Sequence, residues 1–241
     1  PAREVRAAFA LAAGLLALDC VLIVAYWLLR GELMASRSPA GGYPLEPLDF
    51  ESPASLPSLL QYAQLLGAVA LFIWAYRAKR TRARLAAAAI VGLILLDDAL
   101  ELHEAFGRRL AAAWDLPALL GLRPRDAGAL IFAAALGAAI LAAALWALRR
   151  ASAADRRLLR RVLGLVGLMA LFAIVVDSIH VLLPPKTTLT FFFATVEDGG
   201  ELVVSTAMLA VALGEALAAR ETRSAPPARR SEREPREPVV R

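Results

Sequence analysis

Six apolar runs divide the chain, at about 7–29, 58–76, 85–106, 127–148, 162–183 and 196–218. At ~1.5 Å of rise per residue, roughly 20 such residues cross the ~30 Å hydrocarbon layer of a bilayer. No helical period is needed to assign them, because lipid obliges every backbone N–H and C=O to find its partner within the segment. The pattern predicts an all-α fold, a polytopic membrane bundle of six transmembrane helices. Between the runs, the loop at 30–57 carries Pro39, Pro44, Pro47, Pro53 and Pro57 and reads as an extended cap. Segment 107–126, with Trp114 and Pro117, reads as a helix extension and an interfacial turn. From Arg220 onward, RETRSAPPARRSEREPREPVVR offers almost nothing to bury, which predicts a disordered tail at 220–241 after a membrane domain at 1–219. The first run follows Arg3 and Arg6 as in a signal peptide, yet it exceeds the ~7–15-residue core of a cleavable one and reads as an anchor.

Composition agrees: 59% of the 241 residues are hydrophobic and the mean hydropathy is +0.58. Cys20 is the single cysteine, which excludes an internal disulfide and any cysteine-based zinc motif. A net charge of +5 would admit nucleic acid, but the arginines lie between the spans and in the tail, where they fit membrane topology instead. The connection 77–84 holds Arg77, Lys79, Arg80, Arg82 and Arg84 without an acid, and 149–161 sets its arginines against Asp155 alone. The positive-inside rule places both connections, and with them both termini, in the cytoplasm. Arg108, Arg109, Arg123 and Arg125 on the opposite side are the exception. A multi-pass protein of a bacterial plasma (inner) membrane is expected, with the lipid bilayer as its partner and no nucleic acid.

That topology assigns depth to an unusual set of polar residues. LLDDALELHE, residues 95–104, puts four carboxylates and a histidine into span three. Running outward, this span sets Asp97 roughly 20 Å from its cytoplasmic end and Glu104 near the outer boundary. In span five, VVDSIH brings Asp177 and His180 to a similar height, and in span six VEDGGE does so for Glu197 and Glu201. At ~100° per residue, Asp97, Glu101 and Glu104 share one face, Asp98 lies to the side and His103 points away. Each ionised group deep in a span costs ~2.5–3.5 kcal/mol, so six together rival the ~5–15 kcal/mol by which a protein is stable. Protons, a wet cavity or a multivalent cation must balance that charge. Carboxylates with imidazole suit zinc, iron or manganese better than copper(I). The candidate ligands of a divalent metal ion are Asp97, Glu101, Glu104, Asp177, His180, Glu197 and Glu201, with Asp98, His103 and Asp19 as further candidates.

Several of these residues also have purely structural readings. Asp98 can hydrogen-bond a neighbouring helix, and Asp19 in span one can do the same or join the cluster. Asp198, three residues after Thr195, suits a cap at the start of span six, and Glu197 an exposed acid at that helix terminus. Gln61 and Gln64 are placed to support ligands from span two. Glu215 reads as interfacial, and Gly199 and Gly200 as a point where another helix comes close. Span four, small and apolar, reads as packing or lipid contact.

LLDDALELHE and VEDGGEL together resemble uncharacterised bacterial multi-spanning membrane proteins. In those proteins one helix carries an acidic pair followed by His-Glu, and a later helix an acidic pair followed by Glu. The matching positions are Asp97, Asp98, His103 and Glu104, then Glu197, Asp198 and Glu201. A fainter similarity is to membrane hydrolases of the alkaline ceramidase and adiponectin-receptor type. That resemblance implies zinc held by three histidines, and here only His103 and His180 exist.

The first expectation for function is a metal-dependent membrane enzyme, a hydrolase or an oxidoreductase, acting on a lipid or another lipid-soluble substrate near the outer leaflet. A cation or proton transporter would need polar groups continuing inward, and the inner halves of spans three and five are nearly all apolar. A structural membrane subunit is the third reading.

Overall fold

The computed structural model describes residues 2–36, 46–50, 52–118, 121–184 and 187–224. Among the described residues eight α-helices follow one another: α1 (Ala2–Ser36), α2 (Leu56–Lys79), α3 (Arg82–Leu100), α4 (Leu102–Trp114), α5 (Pro124–Leu148), α6 (Ala153–Ala170), α7 (Asp177–Leu182) and α8 (Thr188–Ser224). A short 3-10 turn lies at Glu46–Leu48, and a π-helical stretch, Leu171–Val176, joins α6 to α7. There is no strand among the described residues. Among the described residues five helical stretches are long and apolar enough to cross a membrane: Glu4–Leu29, Leu56–Lys79, Pro124–Leu148, Ala153–Leu182 and Thr188–Glu221. Phe9, Val21, Leu28, Leu66, Leu141 and Leu145 all point outward. Water would penalise so much apolar surface, whereas lipid accepts it.

The third expected span departs most from its sequence reading. It starts at Arg82 and stops at Leu100, because Glu101 takes the left-handed conformation (φ 48°, ψ 42°) and a new helix begins after it. A non-glycine residue there costs roughly 1–2 kcal/mol. With Arg82, Arg84, Asp97 and Asp98 inside it, α3 is too charged to rank by composition with the five membrane-length helices. It is nevertheless central to the bundle. Ala83, Ala86, Ala87, Ile90 and Val91 are buried against Leu65 and Phe72 of α2, Leu158 and Val162 of α6, and Met208 of α8. Small alanines let the neighbouring backbones approach, which is how helices associate where lipid removes the usual hydrophobic drive.

Two other expectations are corrected. Span six begins at Thr188 and not near residue 196, so Glu197 and Asp198 lie inside α8 and neither can cap its start. Thr195 returns its hydroxyl to the Phe191 carbonyl at 2.8 Å. Glu215 is no simple interfacial acid, for its carboxylate takes Arg84 Nη2 at 2.7 Å. Arg84 is buried, with Nη1 donating to Thr81 at 2.9 Å and standing 3.6 Å from Asp155. Asp155 is itself in a capping box with Ser152 at the start of α6. One guanidinium thus ties α3, α6 and α8 together at one end of the bundle. Helix α8 continues through 220–224, while 225–241, Pro39 and Pro44 lie outside the described residues.

α4 turns back onto α5 through a glycine pair. A methyl group on Gly107 would sit 2.6 Å from the Arg125 carbonyl, and one on Gly128 would strike the Gly107 backbone. Backbone cannot swing aside as a flexible side chain can. Gly128→Ala is therefore expected to destabilise the folded protein by about 1–3 kcal/mol, read as an earlier loss of helical circular dichroism on titration with dodecyl sulfate. An unchanged transition would show that the two helices do not meet here.

Candidate metal centre

The fifth expected span reaches its polar end through the π-helical stretch. Such a stretch inserts a wider turn into a helix and re-aims the side chains that follow it. Here the Asp177 N–H reaches the Phe172 carbonyl, and the Ser178 hydroxyl closes on the Ile174 carbonyl at 2.5 Å. On the facing helix, a Cβ on Gly200 would lie 2.6 Å from ring carbons of Phe172, and one on Gly199 would lie 3.0 Å from Ile23 of α1. The two glycines are the point of close approach that the sequence suggested. They let the π-helical stretch and α1 crowd α8 beside its acids.

The result is one compact group. Asp177, His180 and Glu197 each offer a ligand atom, all within 4.8 Å of one another, and all three residues are half-buried. His180 Nδ1 lies 3.1 Å from Glu197 Oε2. A protonated Nδ1 donates to that carboxylate and leaves Nε2 as the ligand, whereas a deprotonated Nδ1 ligates directly, so the tautomer sets the role. Two carboxylates and a neutral imidazole carry a charge of −2, which a divalent cation cancels. Three protein ligands also leave coordination positions for water or substrate.

A second polar group adjoins the first. Gln61 Nε2 of α2 donates to Asp98 Oδ2 at 3.1 Å and to Glu201 Oε2 at 3.4 Å, so one amide links α2, α3 and α8. The Tyr62 hydroxyl adds a bond to the Asp98 carbonyl at 3.3 Å. Glu201 lies within electrostatic reach of Asp98, Glu197 and Asp177, which joins the two groups. The interhelical hydrogen bond expected of Asp98 is present, and so is the supporting position expected of Gln61.

The other sequence candidates stand differently. Asp97 turns to the end of α4, where its Oδ1 accepts the His103 backbone N–H at 2.9 Å and meets His103 Nδ1 at 3.1 Å. A carboxylate satisfying a first-turn N–H is a cap. The break at Glu101 makes it possible and undoes the continuous face on which Asp97, Glu101 and Glu104 were expected to align. It also brings His103, expected to point away, back onto Asp97. Glu104 is exposed and paired with Arg108 at 2.8 Å. Glu101 is within electrostatic reach of Tyr62. Asp19 lies apart from all these acids, bound to Gln64 and Thr206.

Four participants escaped the sequence reading. Tyr62 and Thr206 sit in apolar runs with nothing to mark them. Asp126 and Arg123, which pair at 2.7 Å at the start of α5, both lie within electrostatic reach of Asp177. Their mark was the RPRD stretch, which spells out a helix N-terminus.

A family model described as a domain of unknown function (DUF8692) matches residues 7–215, and the chain belongs to that family. The match takes in both acidic motifs. No curated protein and no solved structure matches the chain. The resemblance to alkaline ceramidases and adiponectin receptors has no counterpart in these comparisons. The cluster at Asp177 also holds one histidine where that resemblance implies three.

Proposed function

We propose that this chain is a six-span protein of the plasma membrane with both termini in the cytoplasm, and that it binds one divalent transition metal near the outer leaflet to act on a lipid or lipid-soluble substrate. The observation that carries the reading is the approach of Asp177, His180 and Glu197 to within 4.8 Å of one another in an apolar bundle. On this reading α3, the third in chain order, completes the set of six spans, buried at the centre of the bundle among helices long enough to cross. Zinc, manganese or iron(II) fits the one-imidazole, two-carboxylate donor set.

A bound metal would supply Lewis-acid activation of water or of a substrate oxygen. The chain's own residues do the rest. Asp177 and Glu197 hold the charge, and His180 fixes its ring against Glu197. Glu201, kept in place by Gln61, is the carboxylate next to the cluster that is positioned to exchange a proton with a group bound there. Asp97 and His103 shape the turn at Glu101 beside it. Asp98 is positioned to fix Gln61 from the other side.

The test is elemental analysis of the full chain purified in mild detergent after growth with zinc, manganese and iron. About one equivalent of one of these metals per chain is expected, and it should fall to background in Asp177→Asn. A wild-type protein that carries none, and takes none up on dialysis, would refute the reading.

A further inference from the structure

Below the outer cluster lies a second oxygen-rich group that the metal centre does not use. Asp19 of α1 is fully buried, with Thr206 Oγ1 of α8 donating to its Oδ2 at 2.6 Å and Gln64 Nε2 of α2 donating to its Oδ1 at 3.2 Å. Among the described residues, no lysine, arginine or histidine appears among the groups that act on this carboxylate. Two further oxygens at the same level, Gln64 Oε1 and Ser205 Oγ, are buried without a hydrogen-bond partner. The register of α2 along α8 brings them together. Gln61 meets Glu201 one turn above, and Gly67 packs against Leu209 one turn below. Gln64 therefore stands level with Ser205 and Thr206.

We propose that Asp19, Gln64, Ser205 and Thr206 form a binding site for a small monovalent cation, sodium above all. The donor set is all oxygen, which selects a hard ion and excludes the softer metals suited to His180. Charge selects the valence. One carboxylate and one monovalent ion make a neutral pair in the apolar interior, whereas a divalent ion would leave a net positive charge there. Size follows from the closeness of the helices: Thr206 and Gln64 already donate hydrogen bonds to Asp19 at 2.6 and 3.2 Å, so both would have to turn their oxygens toward an ion, and the smallest ion requires the least separation. An ion at this point would give the orphaned Gln64 and Ser205 oxygens their missing partner. It would bind α1 to the α2–α8 pair from within the bundle.

The site is independent of the outer metal centre, and the experiment keeps the two apart. The full chain in nanodiscs would be held at constant ionic strength in choline chloride, then titrated with sodium, lithium or potassium chloride. Radioactive sodium binding and the thermal unfolding midpoint would be read together. The expected result is one saturable sodium per chain and a midpoint rise of about 3–6 °C at saturation, with little response to potassium. Asp19→Asn and Thr206→Val should each weaken sodium binding at least tenfold while leaving the transition-metal content unchanged. Ser205→Ala, the gentlest truncation, should weaken it several-fold and keeps the test open if Asp19→Asn fails to fold. No saturable sodium binding, with the same midpoint in every chloride, would overturn the proposal and leave the carboxylate to a proton. Sodium binding that survives both Thr206→Val and Ser205→Ala unchanged would overturn it as well.

Discussion

On the proposed function, replacing His180 with alanine should lower the affinity of the chain for a divalent metal on the order of 100-fold or more. The replacement removes the one nitrogen from a group of three donors and leaves Asp177 and Glu197 to hold the ion as a bare acidic pair. A drop of that size corresponds to roughly 2.7 kcal/mol of binding free energy. Glu197→Gln should act comparably, since it deletes a donor and also the carboxylate that orients the imidazole at 3.1 Å. Glu104→Gln should do nothing measurable, because that exposed side chain is engaged with Arg108. Competition against a fluorescent chelator measures all three. In the wild type the affinity should also fall steadily as pH is lowered, because protons compete for the same carboxylates and imidazole. Equal affinity in His180→Ala and wild type would show that the ion, if bound, sits elsewhere.

The second large effect is expected at the other end of the bundle. Arg84→Met should destabilise the protein by roughly 3–5 kcal/mol, since it strips the partner from a carboxylate shielded from water. The Arg84 side chain is 8% exposed and that of Glu215 is 20% exposed. Asp155 would suffer less, because Ser152 and Thr81 continue to hydrogen-bond it. The loss should therefore belong mainly to Glu215. Arg84→Met combined with Glu215→Leu should recover most of the stability, for removing both members of a buried pair is often nearly neutral. Detergent-unfolding transitions of the two variants and the wild type decide it. A double variant as unstable as the single one would show that the arginine works through packing alone.

Glu101 illustrates why the site was only half legible in the sequence. Composition and run length identify a buried helix at this point, but helical phase assumes an unbroken axis. One left-handed residue splits the axis and sends Asp97 to cap the following helix. No glycine, proline or asparagine announces the break, so nothing local distinguishes Glu101 from a helical glutamate. The π-helical stretch before Asp177 is equally silent. LFAIVV is as apolar as any neighbouring segment, and its wider turn shows only against the Gly200 surface that accepts Phe172.

What the sequence determined by itself is the class of protein and the level at which its polar residues gather. Both follow from quantities readable along the chain: apolar length sets what can span lipid, and the acidic motifs of three runs fall at matching distances from their ends. Which acids face one another was decided only by tertiary structure. That depends on where a helix breaks and how closely two backbones approach, as at Gly199, Gly200, Gly107 and Gly128. Asp19, Gln64 and Thr206 make the point most plainly, since residues far apart in the sequence on three helices meet only when the bundle closes around them.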